Sequence, residues 1–156
     1  MNEQRSNVEE LLEFVRIMYE EKIPFNKDLG MRIESLEPGD IRIKFKMEDR
    51  LIGNYMRSVL HGGVISSVLD ATGGLIAIVR LLEKMSDQPI EEFEKRFRRM
   101  GTIDLRIDYL RPGQGRYFIA SGSIMRAGRR VSVTRMELHN DEDLLIAVGT
   151  GTYVVG

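Results

Sequence analysis

Leu60–Arg80 reads LHGGVISSVLDATGGLIAIVR, and the eighteen residues from Gly62 to Val79 contain one charged side chain, Asp70. The others are apolar or small, so as a helix the segment is expected to be buried on nearly all sides. An ionised carboxylate in such surroundings loses hydration worth on the order of several kcal/mol unless partners compensate. A perturbed, enclosed carboxylate is what a general base or nucleophile requires, which makes Asp70 the first candidate for chemistry. The plainer alternative is a structural carboxylate, capping a loop or paired with an arginine.

His61-Gly62-Gly63 opens the segment. Two glycines let the backbone turn sharply and bring bare N–H groups close to a ligand. The first N–H groups of a helix have no internal partner and carry the positive end of its dipole, which suits an anion or a polarised carbonyl oxygen. At about 1.5 Å of rise per residue, this entry and Asp70 lie roughly 13 Å apart on one helix, too far to act on one carbonyl. If both are catalytic, they must meet across two antiparallel helices from two subunits. Gly73-Gly74 read most simply as close-packing positions for a neighbouring strand or a partner helix.

At 156 residues a single domain over 1–156 is expected, and 42% hydrophobic content is enough for a core. With 23 basic against 24 acidic residues, the net charge of -1 makes no electrostatic case for nucleic acid. The absence of cysteine excludes disulfides, thiolate metal sites and a Cys nucleophile, and is compatible with a cytoplasmic location. MNEQRSNVEELLEF at the start lacks an apolar h-region, so no signal peptide is expected. The run 62–79 is long enough to test as a membrane span, but a central Asp, four Gly and two Ser make insertion costly. It is read as the buried helix of a soluble protein.

In chain order, Val8, Leu11, Leu12, Val15, Ile17 and Met18 form a helical stripe over Asn7–Glu21, within an N-terminal amphipathic segment 1–24 that Pro24 and Asn26 break. Phe25 and Leu29 follow as lid or core contacts. Met31 to Met47 alternates around Pro38-Gly39-Asp40, the pattern of a hairpin with one wet face. Residues 48–59 read as a loop, Leu60–Leu82 as the central helix, and 83–101 as a charged insertion with a helix after Pro89. Alternation then predicts strands from Thr102 to Tyr109, Arg116 to Arg126, Val131 to His139 and Leu144 to Val155. Strands on both sides of one buried helix predict an α+β fold, an antiparallel sheet wrapped around a central helix.

HGGVISSVLD, followed some thirty residues later by TIDLRIDYLRPG, resembles the hotdog-fold acyl-CoA thioesterases of the phenylacetate-pathway type, within the 4-hydroxybenzoyl-CoA thioesterase superfamily. The resemblance covers roughly residues 25 to 155. It implies hydrolysis of an acyl-CoA thioester by a homodimer or dimer of dimers, with no cofactor. Residue by residue, it implies that Asp70 is the general base or nucleophile and that Gly62 N–H polarises the thioester carbonyl. His61 would orient the entry, and Thr102, opening its strand, would position the water or the carboxylate. The family often has Asn six residues before the His; here Tyr55 stands there and Asn54 lies one further back, so Asn54 is the candidate for that role. The connection from Arg80 to Gly101 is longer than is typical of the family, and its helical part is expected to cover the acyl tunnel.

As substrate-binding residues we expect Gly63 at the entry and Phe93 and Phe97, which are four apart and share a helix face toward the acyl chain or the helix's N-terminal partner. Arg129 and Arg130 are by default a solvated face, yet at a turn they are candidates to meet coenzyme A phosphates. A non-catalytic acyl-binding hotdog module and a hotdog dehydratase or hydratase are the competing readings. No G-x-S-x-G elbow surrounds Ser66 or Ser67, and His61 and His139 have no ligand-type spacing with carboxylates, so neither a serine triad nor a metal is expected.

Overall fold

The computed structural model describes residues 2–156, with side chains from Val8 onward. Residue 1 and the side chains of 2–7, which belong to the expected N-terminal segment, lie outside the described residues. Helix α1 (Asn2–Ile17) runs into one π-helical turn, Met18–Lys22, and then into α2 (Pro24–Asp28). The wider turn shifts the apolar stripe, so Leu11, Val15, Met18 and Tyr19 are buried while Ile17 is turned outward, unlike the simple helical stripe expected. The helical run breaks where Pro24 is expected to break it, at an extended Ile23, and Pro24 then begins α2, since its missing N–H is not needed at a first helical position.

Strands β1 (Arg32–Glu37) and β2 (Asp40–Lys46) form the expected hairpin, whose turn places Gly39 at φ 82°. The segment expected as a plain loop is more ordered: a 3-10 turn at Asp49–Leu51, then a small hairpin of β3 (Ile52–Asn54) and β4 (Val59–Leu60). Leu60 therefore belongs to a strand, and the central helix α3 is Gly62–Lys84. Helix α4 (Ile90–Phe97) and strands β5 (Gly101–Tyr109), β6 (Tyr117–Ala127), β7 (Val131–Asn140) and β8 (Leu145–Val154) complete the chain. The six long strands form one antiparallel sheet in the order β1-β2-β6-β7-β8-β5.

Helix α3 lies across this sheet, and their facing residues are the core: Val68, Leu69 and Leu75 on the helix, with Ile43, Phe118, Met136, Leu138 and Ile146 on the strands, none with exposed surface. Phe45 and Phe118, paired across β2 and β6, stack with centroids 5.2 Å apart. One apolar cluster runs from Leu11 to Ala147. Helix α3 is long and apolar enough to cross a membrane, but most of it is buried in this core.

One feature departs from the expected all-round burial of α3. Gly63, Ser66, Ser67, Asp70, Ala71 and Gly74, spaced along one helical face, are half-buried or exposed, because the sheet curls around only part of the helix. The two sheet edges also differ. At β1, Arg16 Nη1 donates to the Ile33 carbonyl at 2.6 Å and Ile33 N–H donates to Glu20 Oε1 at 2.7 Å, so the N-terminal arm closes that edge. Strand β5 pairs only with β8, and Ile103 and Tyr109 on it are more than half exposed.

Removing Glu20 leaves the Ile33 N–H without its acceptor. Glu20→Ala should cost about 1–3 kcal/mol in urea unfolding and speed hydrogen exchange at the Ile33 amide; unchanged exchange there would show that the arm does not seal the edge.

Candidate active site

The entry to α3 is pinned on both sides. Leu60 N–H donates to the Gly113 carbonyl at 2.9 Å and His61 N–H to the Leu51 carbonyl at 2.8 Å. A side chain at Gly53 would collide with His61, so the small β3–β4 hairpin can close on the helix entry only with glycine there. His61 is the N-cap: its Nδ1 accepts from Gly63 N–H at 2.8 Å, while Val64 and Ile65 donate to its carbonyl at 3.0 and 3.3 Å. Three of the first four helix N–H groups are thereby used, and that of Gly62 is left for a ligand. Tyr109, near the end of β5, donates from its hydroxyl to the Gly62 carbonyl at 3.0 Å.

Eight residues further along, about 12 Å by helix rise, Asp70 stands on the open face. Its Oδ1 accepts from Thr102 Oγ1 at 2.9 Å, which joins the helix carboxylate to the start of β5. Two phenols hold the backbone at this point: Tyr153 donates to the Asp70 carbonyl at 3.1 Å and Tyr19 to the Ala71 carbonyl at 3.2 Å. Burial, then the charge of Asp70, pushes both phenols above the ordinary tyrosine range, so they remain protonated donors. Gly73 and Gly74 make this possible. A Cβ at Gly73 would collide with the Tyr153 hydroxyl, and one at Gly74 would come within 3.3 Å of the Tyr19 hydroxyl. The neighbours of the glycine pair are thus strand β8 and the N-terminal arm.

Beside Asp70 and Thr102 opens a cleft of about 450 Å³, mostly apolar. Tyr19, Ile23 and Phe25 of the N-terminal arm form one wall, Ala71, Gly74 and Ile78 of α3 the floor, and Phe97 and Met100 the other wall. The insertion after α3 therefore lines a cleft next to Asp70. Of the two phenylalanines expected to face the acyl chain, Phe97 lines the cleft. Phe93 is instead a core residue, 1% exposed, that stacks on Phe97 at 6.1 Å and backs that wall.

The remaining candidates lie apart. Asn54 is exposed at the tip of the small hairpin, where its Oδ1 accepts from Met56 N–H at 3.1 Å as a turn residue. Gly63 is at the entry but its N–H is engaged by His61. Arg129 and Arg130 sit between β6 and β7, lining a separate cleft with residues of α4. Asp70 and Thr102 are thus joined directly, His61, Gly62 and Gly63 form a second cluster, and Asn54 meets neither within one chain. Tyr19 and Tyr153 were missed by sequence reasoning; the only trace of them was the glycine pair that accommodates their hydroxyls. Among the described residues, no group of three His, Cys, Asp or Glu stands together as a metal site.

Residues 58–147 match the family model described as Thioesterase superfamily. The medium/long-chain acyl-CoA thioesterase YigI of Escherichia coli is 46% identical over 148 residues, covering 95% of this chain and 96% of that protein. A crystal structure of a Shewanella oneidensis protein related to the thioesterase superfamily superposes with a TM-score of 0.92 at 46% identity, over 96% of this chain and 97% of that one. A thioesterase family protein from Silicibacter pomeroyi, 21% identical over 98% of this chain and 99% of its own, shares the fold with a TM-score of 0.68.

The packing of Gly73 against Tyr153 can be measured by a double-mutant cycle. Gly73→Ala should destabilise by about 1–3 kcal/mol despite alanine's better helix propensity, because the Cβ displaces the phenol. In a Tyr153→Phe background the penalty should shrink, a coupling of at least about 0.5 kcal/mol; additive losses would place the strain elsewhere.

Proposed function

This chain belongs to the thioesterase superfamily, and from that premise we propose that it hydrolyses an acyl-CoA thioester to the free acid and coenzyme A. The observation that carries this reading is Asp70, held by Thr102 on the one open face of an apolar helix, beside an apolar cleft. The substrate class is supported by the acyl-CoA activity named for the Escherichia coli relative. A chain running from Asp70 past Ala71 and Gly74 to Ile78 covers eight residues of helix, about 12 Å, room for a medium-length acyl tail.

In this mechanism the thioester carbonyl oxygen accepts from Gly62 N–H, whose position at the helix start favours developing negative charge. Water, lined up by Asp70 and Thr102, adds to the carbonyl carbon while its proton passes to Asp70. The tetrahedral intermediate collapses, the carbon–sulfur bond breaks, and the leaving thiolate takes up the proton. If Asp70 attacks directly, water opens the resulting anhydride and the products are the same. His61 orients the entry by capping Gly63, and Asn54, on the exposed hairpin tip, remains a candidate for contact with substrate from there.

Gly62 and Asp70 of one chain are too far apart for this, so we place each site between two chains paired along β5. The open edge carries Asp104, Arg106 and Asp108. A two-fold antiparallel pairing centred on Leu105 sets Asp104 against the partner's Arg106 twice, whereas one centred on Arg106 would set like charges together. Within each chain Thr102 holds Asp70 at one end of β5, and Tyr109 holds Gly62 at the other. Centring on Leu105 puts Thr102 opposite the partner's Asp108, next to the partner's Tyr109. Antiparallel pairing therefore brings Asp70 of one chain toward Gly62 of the other. We take the assembly to be such a dimer or a dimer of dimers, and the cysteine-free chain to work in the cytoplasm.

Asp70→Asn should remain folded and lose at least about 100-fold in thiol release from a panel of acyl-CoAs; near-normal turnover would remove Asp70 from the chemistry. Site sharing has its own test. Asp70→Ala and a His61→Ala/Gly62→Pro variant should each be inactive, yet mixing them should restore up to roughly a quarter of wild-type activity, since half the dimers are mixed and each has one intact site. Mixed dimers, verified by differential tags, that stay as inactive as their parents would rule out cooperation across the interface.

A further inference from the structure

Charge in this chain is nearly balanced, but its pairing is not uniform. Nine arginines, among them Arg16, Arg42, Arg98 and Arg135, each have a carboxylate within 4 Å. Seven arginines take part in none of the ion pairs among the described residues; Arg57 and Arg111 lie elsewhere, whereas Arg96, Arg99, Arg126, Arg129 and Arg130 lie at one end of the molecule, where α4 meets the β6–β7 turn. Between them is a cleft of about 440 Å³ lined by Lys95, Arg96, Arg99, Arg129, Arg130 and Gly156, with Glu92 its one acidic side chain. Glu92 is already held by Lys95. Four guanidinium groups around a concavity, none of them in an ion pair among the described residues, suit a ligand carrying several phosphate oxygens, which such planar donors bind in pairs.

We propose that this cleft, with α4 supplying half of it, holds the phosphates of the coenzyme A nucleotide and so makes the enzyme selective for the carrier as well as for the acyl chain. The inference rests on the thioesterase reading above. Its geometry follows from the sheet: Thr102, Tyr153 and Ser132 lie in one row across β5, β8 and β7. At about 4.8 Å between strands, Ser132 is about 10 Å from Thr102, and Arg129 and Arg130 lie two to three residues beyond it. The pantetheine arm between thioester sulfur and pyrophosphate has about 13 bonds, on the order of 16 Å when extended at a backbone-like rise. The straight span from Thr102 to these arginines is therefore no longer than the extended arm, although Tyr153 and Ser132 are buried and the arm must run over the surface. Consecutive residues mark the way, since Arg98 lines the acyl cleft and Arg99 the basic one, on two sides of one rim. The concavity of the site favours a nucleotide over the convex surface of an acidic carrier protein.

The test compares one acyl chain on coenzyme A, on 3′-dephospho-coenzyme A and on pantetheine. Wild type should show a KM rising in that order, by at least about tenfold from first to last. Arg99→Glu, and separately Arg129→Gln with Arg130→Gln, should raise the KM for the coenzyme A thioester about tenfold while leaving kcat/KM for the pantetheine thioester unchanged. Equal effects on all three substrates, or no discrimination by wild type, would overturn the proposal. So would variants impaired only toward acyl carrier protein, which would assign the patch to a protein partner. Calorimetric titration with 3′,5′-ADP reads the cleft without turnover: binding by wild type that the variants lose supports the phosphate site even if no thioester is cleaved, and absence of binding to wild type refutes it.

Discussion

A six-stranded sheet cannot enclose a helix completely, and the consequences of that shortfall organise this molecule. Helix α3 buries Val68, Leu69 and Leu75 against the sheet and leaves one face, from Gly63 through Asp70 to Gly74, to be covered by something else. The N-terminal arm supplies part of the cover through Tyr19, and the insertion after α3 supplies part through Phe97. What they leave open is an apolar cleft with a carboxylate at its side. The site is therefore the remainder of an incomplete packing problem, placed where the helix has no strand to face.

The same shortfall appears at the sheet edges. An unpaired strand edge invites pairing with another chain, and this protein blocks one edge and leaves the other. Arg16 and Glu20 occupy the backbone groups of Ile33 at β1, whereas β5 offers an alternation of apolar and charged residues along its whole length. Since β5 carries Thr102 at one end and Tyr109 at the other, the proposed pairing of two edges is also the proposed joining of two half-sites. In that proposal fold and oligomer are linked: the strand with one open edge is the strand that touches both halves of the chemistry.

Much of this was legible in the sequence for a physical reason. The apolar run around a lone Asp70, the glycines after His61, and the alternation after Thr102 are local patterns, and local patterns report secondary structure and unusual cost. The π-helical turn at Met18–Lys22 and the β3–β4 hairpin were not legible, because the first is a tertiary adjustment of a helical stripe and the second is only two or three residues per strand. Phe93 and Phe97 illustrate the limit. Their spacing puts them on one face, but only the packed structure says that one lines the cleft and the other supports it. Tyr153 carried no signal of its own in a strand of alternating small residues, only the indirect one of Gly73 making room for its hydroxyl, although it touches the backbone of Asp70.

The structure also changes the argument for why Asp70 is reactive. From the sequence, reactivity followed from enclosure: a charge inside an apolar helix. In the folded chain Asp70 is only half-buried and hydrogen-bonded to an exposed Thr102, so a single chain does not provide that enclosure. Water exclusion, which strengthens every electrostatic interaction in a site, must then come from what arrives there. A partner laid along β5 would cover Thr102, and an acyl chain in the cleft would cover the wall from Tyr19 to Phe97. On this view the carboxylate is kept wet and inexpensive in the lone chain, and acquires a dry environment only when assembly and substrate complete the packing that the sheet left unfinished.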